Sequence, residues 1–492
     1  MKSFLRRSIS LLLAAVMLLS LLPAALAENT AAETTADVQW EKVQSLIAEF
    51  AGKNTWKNAS YSGAISKQLP QTAILGNGDI GVTSNGSANR KSYHLSSTAF
   101  WTDNSQTFGH VGRSPQIVTG GGVSVFAYDP ESGKTLDPAN SSFLEELDIA
   151  HAEIRTSQYM GNAKVKMVNW LSAEKNVMVT EITSESDADQ TMRSLTWGSS
   201  LHTELLPIHA GTGTLDNGRK YVWATRTSNT QPNNGTAARW MSEFAIASTV
   251  FGDDDAVYSA ETDGSIVFDL PAGKTVYVVT AIECVGNQAV DAATDENGAA
   301  LANARSLLST VKSESDISAL HQSHLNWWKN YYLLSWMDLG DTALNRLYYG
   351  NQYIFGCCTR EGKQAPGLYG VWITRDDASW QGDYHLNYNF QSPYYGSYSS
   401  NRMLTFSEPM FHTFLDYIDS GIKRASNPTH LKALTGSTGW YYSTRQDEDA
   451  FKNGFTDALL LPVGLKMYVN DDNGASYLNQ TIDALFCAIQ IC

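Results

Sequence analysis

One segment of the sequence, residues 367–389, concentrates side chains that could do chemistry. It is rich in glycine and tryptophan and carries carboxylate, imidazole and carboxamide groups. Saccharide sites combine aromatic rings, which stack on the apolar face of a pyranose, with polar side chains that hydrogen-bond the sugar hydroxyls. Because long irregular loops are disproportionately functional, this composition predicts a sugar-binding site. Its candidate substrate-binding residues are Trp372, Trp380, Asp383 and His385.

Two carboxamides in this segment have the spacing to share one ligand. Asn387 and Asn389 are two residues apart, so in extended backbone their side chains project in the same direction and could hold one water molecule. An amide is not a Brønsted base, so it would orient the water while a carboxylate elsewhere accepts the proton. The competing interpretation is structural, with Trp372 and Trp380 in a core and the amides bonded to loop backbone. Composition alone slightly favours it.

Other reactive patterns are absent from the sequence. It has no G-x-S-x-G, H-E-x-x-H or G-x-x-x-x-G-K-[ST] motif, so it offers no nucleophile elbow, zinc-protease site or phosphate-binding loop. The acidic run at residues 253–255 indicates a solvated turn, with a calcium site as the weaker alternative. Five cysteines, an odd number with two adjacent, indicate buried free thiols. We therefore expect neither a metal nor a cofactor.

The charge balance favours a neutral partner. The 492 residues include 35 Lys and Arg against 50 Asp and Glu, which gives a net charge of -15. Such a chain has no general electrostatic reason to bind nucleic acid or anionic lipid.

The N-terminus has the pattern of an export signal. A basic start precedes an apolar stretch over residues 9–22, and the triplet Ala25-Leu26-Ala27 suits signal peptidase. We expect a signal peptide over residues 1–27 that is cleaved after Ala27. The product would be secreted or periplasmic, with no membrane anchor after cleavage.

The hydrophobic pattern divides the remaining chain into a β part and an α part. Many short strand-like runs separated by turn residues predict a β-sandwich domain over residues 36–285. Segments at helical spacing predict a helical linker over residues 286–325 and an α domain over residues 326–492. In the first part we predict strands over 164–168 and 177–182, a hairpin turn at 216–219, and a hairpin that joins 265–270 to 274–282 through 271–273. In the second part we predict helices over 291–312, 316–337, 342–359, 408–420 and 455–469. An aromatic cluster on the second of these helices is expected to pack at the seam between the domains; its members are His321, His324, Trp327, Trp328, Tyr331 and Tyr332.

Four short motifs follow one another within residues 348–389: Thr359-Arg360-Glu361-Gly362, Leu368-Tyr369-Gly370-Val371-Trp372, Ala378-Ser379-Trp380 and Tyr384-His385-Leu386-Asn387-Tyr388-Asn389. In order and spacing this stretch resembles glycoside hydrolase family 95, the inverting α-L-fucosidases and their α-L-galactosidase relatives. In that family a helix ends in an Arg-Pro-Gly-type turn and leads into Leu-Gln-Gly-x-Trp-Asn, and a Pro-Pro-Trp element and an aromatic-Thr-x-Asn-x-Asn strand follow. Residues 75–81 and 95–101 are similar to two segments of the family's β domain.

The resemblance implies a multidomain β + α fold: an N-terminal β-supersandwich, a helical linker and an (α/α)6 toroid whose mouth holds the active site. It implies that Asn387 and Asn389 hold the attacking water with help from an Asp, while a Glu protonates the leaving oxygen. Inversion needs that acid and that water on opposite faces of the ring. A full toroid of twelve helices needs at least about 200 residues. Residues 326–492 are fewer, so we expect a partial toroid and a general acid beyond Cys492.

The sequence departs from the family pattern at three places. Ile373 replaces its Asn, Ala378-Ser379 replaces a Pro pair, and residues 392–395 replace Met-Asn-Tyr-Trp. These changes bear on the sugar preference more than on the glycosidase class. The downstream carboxylates considered for the acid are Glu408, Glu448 and Asp449, and none has a context that assigns it.

We expect an oligosaccharide or polysaccharide substrate, cleaved at terminal α-linked fucose-like or α-L-galactose-like residues. The alternative is a catalytically inactive scaffold that binds carbohydrate or has a structural role. A polysaccharide lyase is a third possibility, but it would usually need basic residues for uronates, and the net charge of -15 argues against it.

Overall fold

The computed structural model describes residues 29–58, 71–102, 116–198, 206–228, 238, 240–376, 378, 382, 384–385, 390, 392–412 and 467–468. The chain divides into two compact units, Met1–Ser45 and Leu46–Cys492. In the first unit the described residues belong to helix α1, Asn29–Ala48, whose last turn enters the second unit. No helix among the described residues is both long and apolar enough to cross a membrane. The predicted signal peptide lies outside the described residues.

The second unit begins with a large antiparallel β-sandwich. Its described strands are β1 Thr55–Trp56, β2 Ile74–Gly76, β3 Ile80–Ser87, β4 Arg90–Ser97, β5 Trp101–Thr102, β6 Gln116–Ile117, β7 Gly121–Asp129, β8 Lys134–Thr135, β9 Phe143–Asp148, β10 Glu153–Met160, β11 Ala163–Leu171, β12 Val177–Ser184, β13 Gln190–Trp197, β14 Ile208–Thr214, β15 Lys220–Thr227, β16 Met241–Phe251, β17 Val257–Ala260, β18 Gly264–Leu270 and β19 Thr275–Gln288. A nine-stranded sheet has the order β1-β9-β10-β11-β12-β19-β16-β15-β14. An eight-stranded sheet has the order β17-β18-β13-β7-β4-β3-β2, with β8 paired to β7.

The core has two layers around the nine-stranded sheet. All residues of β16 are buried, because one face of this strand contacts the other sheet and its opposite face is covered by a helix. On the first face, Thr196 of β13 donates a hydrogen bond to Ser248 across the sandwich at 2.9 Å. On the second face, Ala245 and Ala247 pack with the apolar side chains of helix α2, Ala299–Leu308. Strands buried on both faces lose the polar alternation typical of one-sided sheets.

The hairpin turn predicted at residues 216–219 is confirmed. Strands β14 and β15 pair in antiparallel register, and the backbone N–H of Leu215 donates to the carbonyl of Arg219 at 2.8 Å. Gly218 has a φ of 84°, which a residue without Cβ adopts at no steric cost. The predicted strands over 164–168 and 177–182 are also confirmed, within β11 and β12.

The second predicted hairpin is wrong. Strand β18 pairs with β13 and β17 in the eight-stranded sheet, whereas β19 pairs with β12 and β16 in the nine-stranded sheet. The turn at residues 271–273 does reverse the chain, because the N–H of Lys274 donates to the carbonyl of Pro271 at 3.0 Å. The reversed chain then crosses to the opposite sheet. A sequence of turn residues specifies the reversal but not which sheet supplies the partner strand.

Helices follow the sandwich, as the sequence predicts. After α2 come α3, Glu314–Leu333, and α4, Thr342–Cys358. The carboxylate of Asp341 begins α4 by accepting the N–H groups of Ala343 and Leu344 at 2.8 and 3.0 Å, an N-cap of the usual kind. The short α5, Tyr395–Ser399, and a π-helical turn over Met403–Ser407 follow.

The last two predicted helices lie mostly outside the described residues. Residues 408–412 are helical, and the rest of the helix predicted over 408–420 is not described. Within 455–469 only β21, Met467–Tyr468, is described, and it pairs in parallel with β20, Tyr384–His385. At those two residues the helix prediction is therefore wrong. The sandwich followed by helices is confirmed, while the toroid and the domain limits 36–285, 286–325 and 326–492 stay predictions.

Candidate active site

Two parts of the chain that resemble the family, one in the sandwich and one around Val371, contact each other directly although they are far apart in the sequence. The hydroxyl of Ser96, in β4, donates to the carbonyl of Val371 at 2.6 Å and accepts the N–H of Ile373 at 3.1 Å. Gly81, in β3, lies so close that a Cβ built on it would be 2.1 Å from the carbonyl oxygen of Val371. The sandwich is therefore in backbone contact with the motif over residues 368–372.

The turn at residues 76–78 has a structural role. Asn77 is buried; its amide nitrogen donates to the carbonyl of Ser172 at 3.2 Å, and its oxygen accepts the N–H of Ile80 at 2.9 Å. The N–H of Gly78 donates to the carbonyl of Cys357 at 2.8 Å. Since Gly78 has a φ of 83°, few other residues would fit here. The turn holds the C-terminal end of α4 against the sandwich.

Arg360 closes the end of α4 over an aromatic surface. It is 6% exposed, its guanidinium carbon lies 3.5 Å from the ring centre of Trp327, and it donates to the carbonyl of Thr359 at 3.1 Å. Burial lowers the pKa of Arg360 to about 10, so the side chain is charged at neutral pH. Cation–π attraction of this kind strengthens as water is excluded. The contact ties the start of the motif region, residues 359–389, to α3.

The aromatic cluster on α3 packs against the sandwich, as predicted. His321 stacks on Trp170 with ring centres 4.8 Å apart, and its Nε2 lies 2.7 Å from a carboxylate oxygen of Glu153. His324 is buried and donates from Nε2 to the carbonyl of His151 at 2.8 Å. Burial lowers the pKa of His324 to about 4, because the imidazolium would lose its hydration.

A carboxyl pair lies between the turn and the chain that follows α4. Asp79 accepts hydrogen bonds from Lys363 at 3.1 Å and from Asn176 at 2.9 Å. Burial and then the charge of Asp79 raise the pKa of Glu283 to about 7. Burial and a nearby carboxylate both disfavour the charged form of Glu283.

The structure places only some of the predicted site residues. Trp372 is 6% exposed, and its indole N–H donates to the carbonyl of Leu75 at 2.7 Å. This is the packing role that the sequence left open, and sugar binding by Trp372 stays a prediction. The backbone of His385 is in β20. The other four predicted site residues lie outside the described residues, so their roles stay predictions as well: Trp380, Asp383, Asn387 and Asn389.

Sequence reasoning missed the ion pair that anchors this region. Arg226 in β15 and Asp376, four residues after Trp372, form a salt bridge with both side chains buried. The signal was available, because Arg226 follows closely on the apolar run Val222-Trp223-Ala224 in a predicted strand. A charge in such a strand requires a buried partner. The sequence did not identify which carboxylate supplies it.

Two cavities adjoin these elements. One of about 190 Å³ is lined by residues of the motif region and of the chain just after it, including Leu368, Phe390 and Tyr394. Its mostly apolar lining suits a small apolar group. A larger one of about 630 Å³ runs along α3 and is lined by Trp327 and Asn330 among others. Its volume lies in the usual range of ligand pockets. Among the described residues, no group of three or more His, Cys, Asp or Glu is placed to bind a metal.

Comparison with known proteins supports a glycosidase-type enzyme, because residues 314–459 match a glycosyl hydrolase catalytic domain. The matching model is described as the Glycosyl hydrolase family 95 catalytic domain, so the resemblance found in the sequence is confirmed for that part of the chain. The matched range includes α3, α4 and the whole motif region.

Among solved structures, one with a TM-score above 0.5 shares the fold over part of its length. A protein described as a kojibiose phosphorylase from the human microbiome has 13% identity and a TM-score of 0.51, and the match covers 80% of this chain and 51% of that one. This likeness shows the fold alone, and the chain spans about half the length of that structure. A family GH92 inverting mannosidase from Bacteroides thetaiotaomicron has 12% identity and a TM-score of 0.31, covering 57% and 36% of the two chains. No curated protein matches the chain.

Proposed function

We propose that this protein is a secreted, inverting glycoside hydrolase that removes terminal α-linked fucose-like or α-L-galactose-like residues from glycans. The observation that carries the proposal is the family-95 match over residues 314–459, which includes the segment with the paired carboxamides. A neutral glycan also fits the acidic charge balance of the chain, and neither nucleic acid nor a membrane is proposed as a partner.

The proposed mechanism needs a water molecule that acts as nucleophile and a general acid. Asn387 and Asn389 orient the water that attacks the anomeric carbon, and a carboxylate accepts its proton. A carboxylic acid on the opposite face of the ring protonates the leaving oxygen. No residue of this chain is assigned as that acid.

A toroid is proposed as the setting of this site. Helix α4 exposes large apolar side chains, with Leu344 50%, Leu347 63% and Ile354 37% accessible. A surface helix usually keeps one polar face toward water, so this pattern favours further helices packing on α4. In a ring of paired helices, neighbouring helices would cover these apolar side chains.

Hydrolysis of defined substrates tests the proposal. The full chain is incubated with aryl α-glycosides and fucosylated oligosaccharides, and sugar release is compared for the wild type, Asn387→Ala, Asn389→Ala and the control Asn303→Ala. Asn303 is an exposed residue of α2, so its replacement should leave the rate unchanged. We expect the first two variants to lose at least about a hundredfold in kcat. Full activity in both would overturn the role of the carboxamides.

Export has a separate test. N-terminal sequencing of the protein recovered outside the cytoplasm should begin at Glu28, after cleavage at Ala27. A product that retains its first residues, or that stays inside the cell, would contradict this part of the proposal.

A second candidate, the catalytically inactive scaffold, is favoured by one observation. Trp372, which an open sugar site would present to its ligand, is buried and hydrogen-bonded to Leu75. If this candidate is correct, the chain releases no sugar from any fucosylated oligosaccharide, whether or not calorimetry detects binding.

A further inference from the structure

A buried ion pair joins the sandwich to the chain that follows Trp372. Arg226 donates from Nη1 to Oδ1 of Asp376 at 2.8 Å and from Nη2 to the other oxygen of the same carboxylate. The two side chains are 0% and 2% exposed. A bidentate guanidinium–carboxylate pair fixes orientation as well as distance, so it sets the position of Asp376 relative to β15.

The same carboxylate and its backbone are bonded to the segment that leaves β6. The N–H of Thr119 donates to Oδ1 of Asp376 at 3.2 Å, and the Gln116 side chain donates to the carbonyl of Asp376. Arg226 also donates to the carbonyl of Thr119 at 2.5 Å, which closes a ring of contacts. Three parts of the chain, β15, the β6 segment and Asp376, are therefore locked together.

A second contact lies farther along the motif region. Gly382 has a φ of 65°, and a Cβ built on it would lie 2.3 Å from Cγ2 of Ile117 in β6. Strand β20 begins two residues later, at Tyr384. The sandwich thus contacts this stretch at Asp376 and again at Gly382, immediately before the strand that contains His385.

We propose that Arg226 is a positioning residue for the hydrolysis, acting through Asp376 on the backbone of residues 372–376 and on strand β20. Arg226 is fully buried and acts on the reaction only through the residues it holds. Replacing a buried ion pair by apolar residues of similar volume is often neutral for stability. Stability alone therefore gives little reason for this pair, whereas fixing the geometry of the motif region does.

The experiment compares two pairs of the same kind in the full chain. The test variant is Arg226→Met with Asp376→Leu. The control is Lys91→Met with Glu145→Leu, which removes a fully buried ion pair inside the sandwich. Both double variants avoid leaving one charge buried alone. Arg226→Lys is a third variant, which keeps the charge but loses the bidentate geometry.

The first readout is amide hydrogen exchange, which does not depend on activity. We expect exchange in Val371 to Asp376 and at Tyr384 and His385 to become at least tenfold faster in the test variant and to stay unchanged in the control. If these amides exchange at the same rate in the two double variants, the proposal is overturned. Arg226→Lys should give an intermediate increase.

The second readout is kinetic and rests on the proposed function. We expect kcat to fall about tenfold to a hundredfold in the test variant, as small misplacements of reacting groups do, with KM changed much less and the control within twofold of wild type. A test variant whose kcat equals that of the wild type would overturn the proposal. If the wild type releases no sugar, the proposed function fails, while the exchange result still decides whether Arg226 positions this stretch.

Discussion

Replacement of Gly81 by Ala tests the contact between the sandwich and the motif region. The added Cβ would lie 2.1 Å from the carbonyl oxygen of Val371 and 3.0 Å from Oγ of Ser96. Ordinary van der Waals contact needs more than 3.4 Å, so one backbone segment must move by about 1 Å. Because backbone cannot rotate away as a side chain can, we expect a loss of about 1–3 kcal/mol, the range measured for overpacked sites.

Chemical denaturation measures this loss, and Gly350→Ala is the matched control. Gly350 is in α4 with nothing within 4 Å of its added Cβ, so the same methyl group should stabilise the protein by about 0.5–1 kcal/mol through helix propensity. If Gly81→Ala is as stable as wild type, or if the two variants change stability in the same direction, the close contact drawn between Gly81 and Val371 is wrong.

Three further predictions concern ionisable side chains that are buried or half-buried. Lys91→Met should cost about 3–5 kcal/mol because it leaves Glu145 buried without its cation, whereas the double variant with Glu145→Leu should recover most of that loss in denaturation curves. Since the pKa of His324 is lowered to about 4 in the folded state, its contribution to stability is complete above pH 6.5. It falls by up to about 3 kcal/mol as the pH drops toward 4; His324→Gln should remove that part of the pH profile, and an unchanged profile would contradict it. The raised pKa of Glu283, about 7, has the opposite sign. Its contribution is present below pH 4.5 and is lost as the pH rises through 7, so Glu283→Gln should flatten stability over that interval.

Local pattern predicted the element types well but not all strand pairings. Alternation and turn residues located β11, β12 and the hairpin at Gly218, because these depend on neighbours in the sequence. The chain reversal after Leu270 was also visible. The partner of β19 was not, because β12 and β16 lie far from it in the sequence and only the packing of two sheets brings them together.

For the candidate site, too, local sequence patterns identified a segment but not its long-range contacts. Composition and motif spacing identified the segment that contains Trp372, and they left open whether this indole binds sugar or packs. The hydrogen bond from Trp372 to Leu75 joins it to strand β2, 297 residues earlier in the sequence. The pairing of Arg226 with Asp376 spans 150 residues. The apolar run before Arg226 indicates that this charge needs a buried partner, but the identity of the partner in both contacts is a property of the folded chain.

The stereochemistry of the released sugar tests the central claim most directly. Proton NMR during the first minutes of hydrolysis of an α-linked fucosyl oligosaccharide distinguishes the two anomers before they interconvert. An inverting enzyme with a water held opposite the acid predicts that the β-anomer appears first. Initial release of the α-anomer, or no release from any fucosylated or galactosylated substrate, would contradict the account.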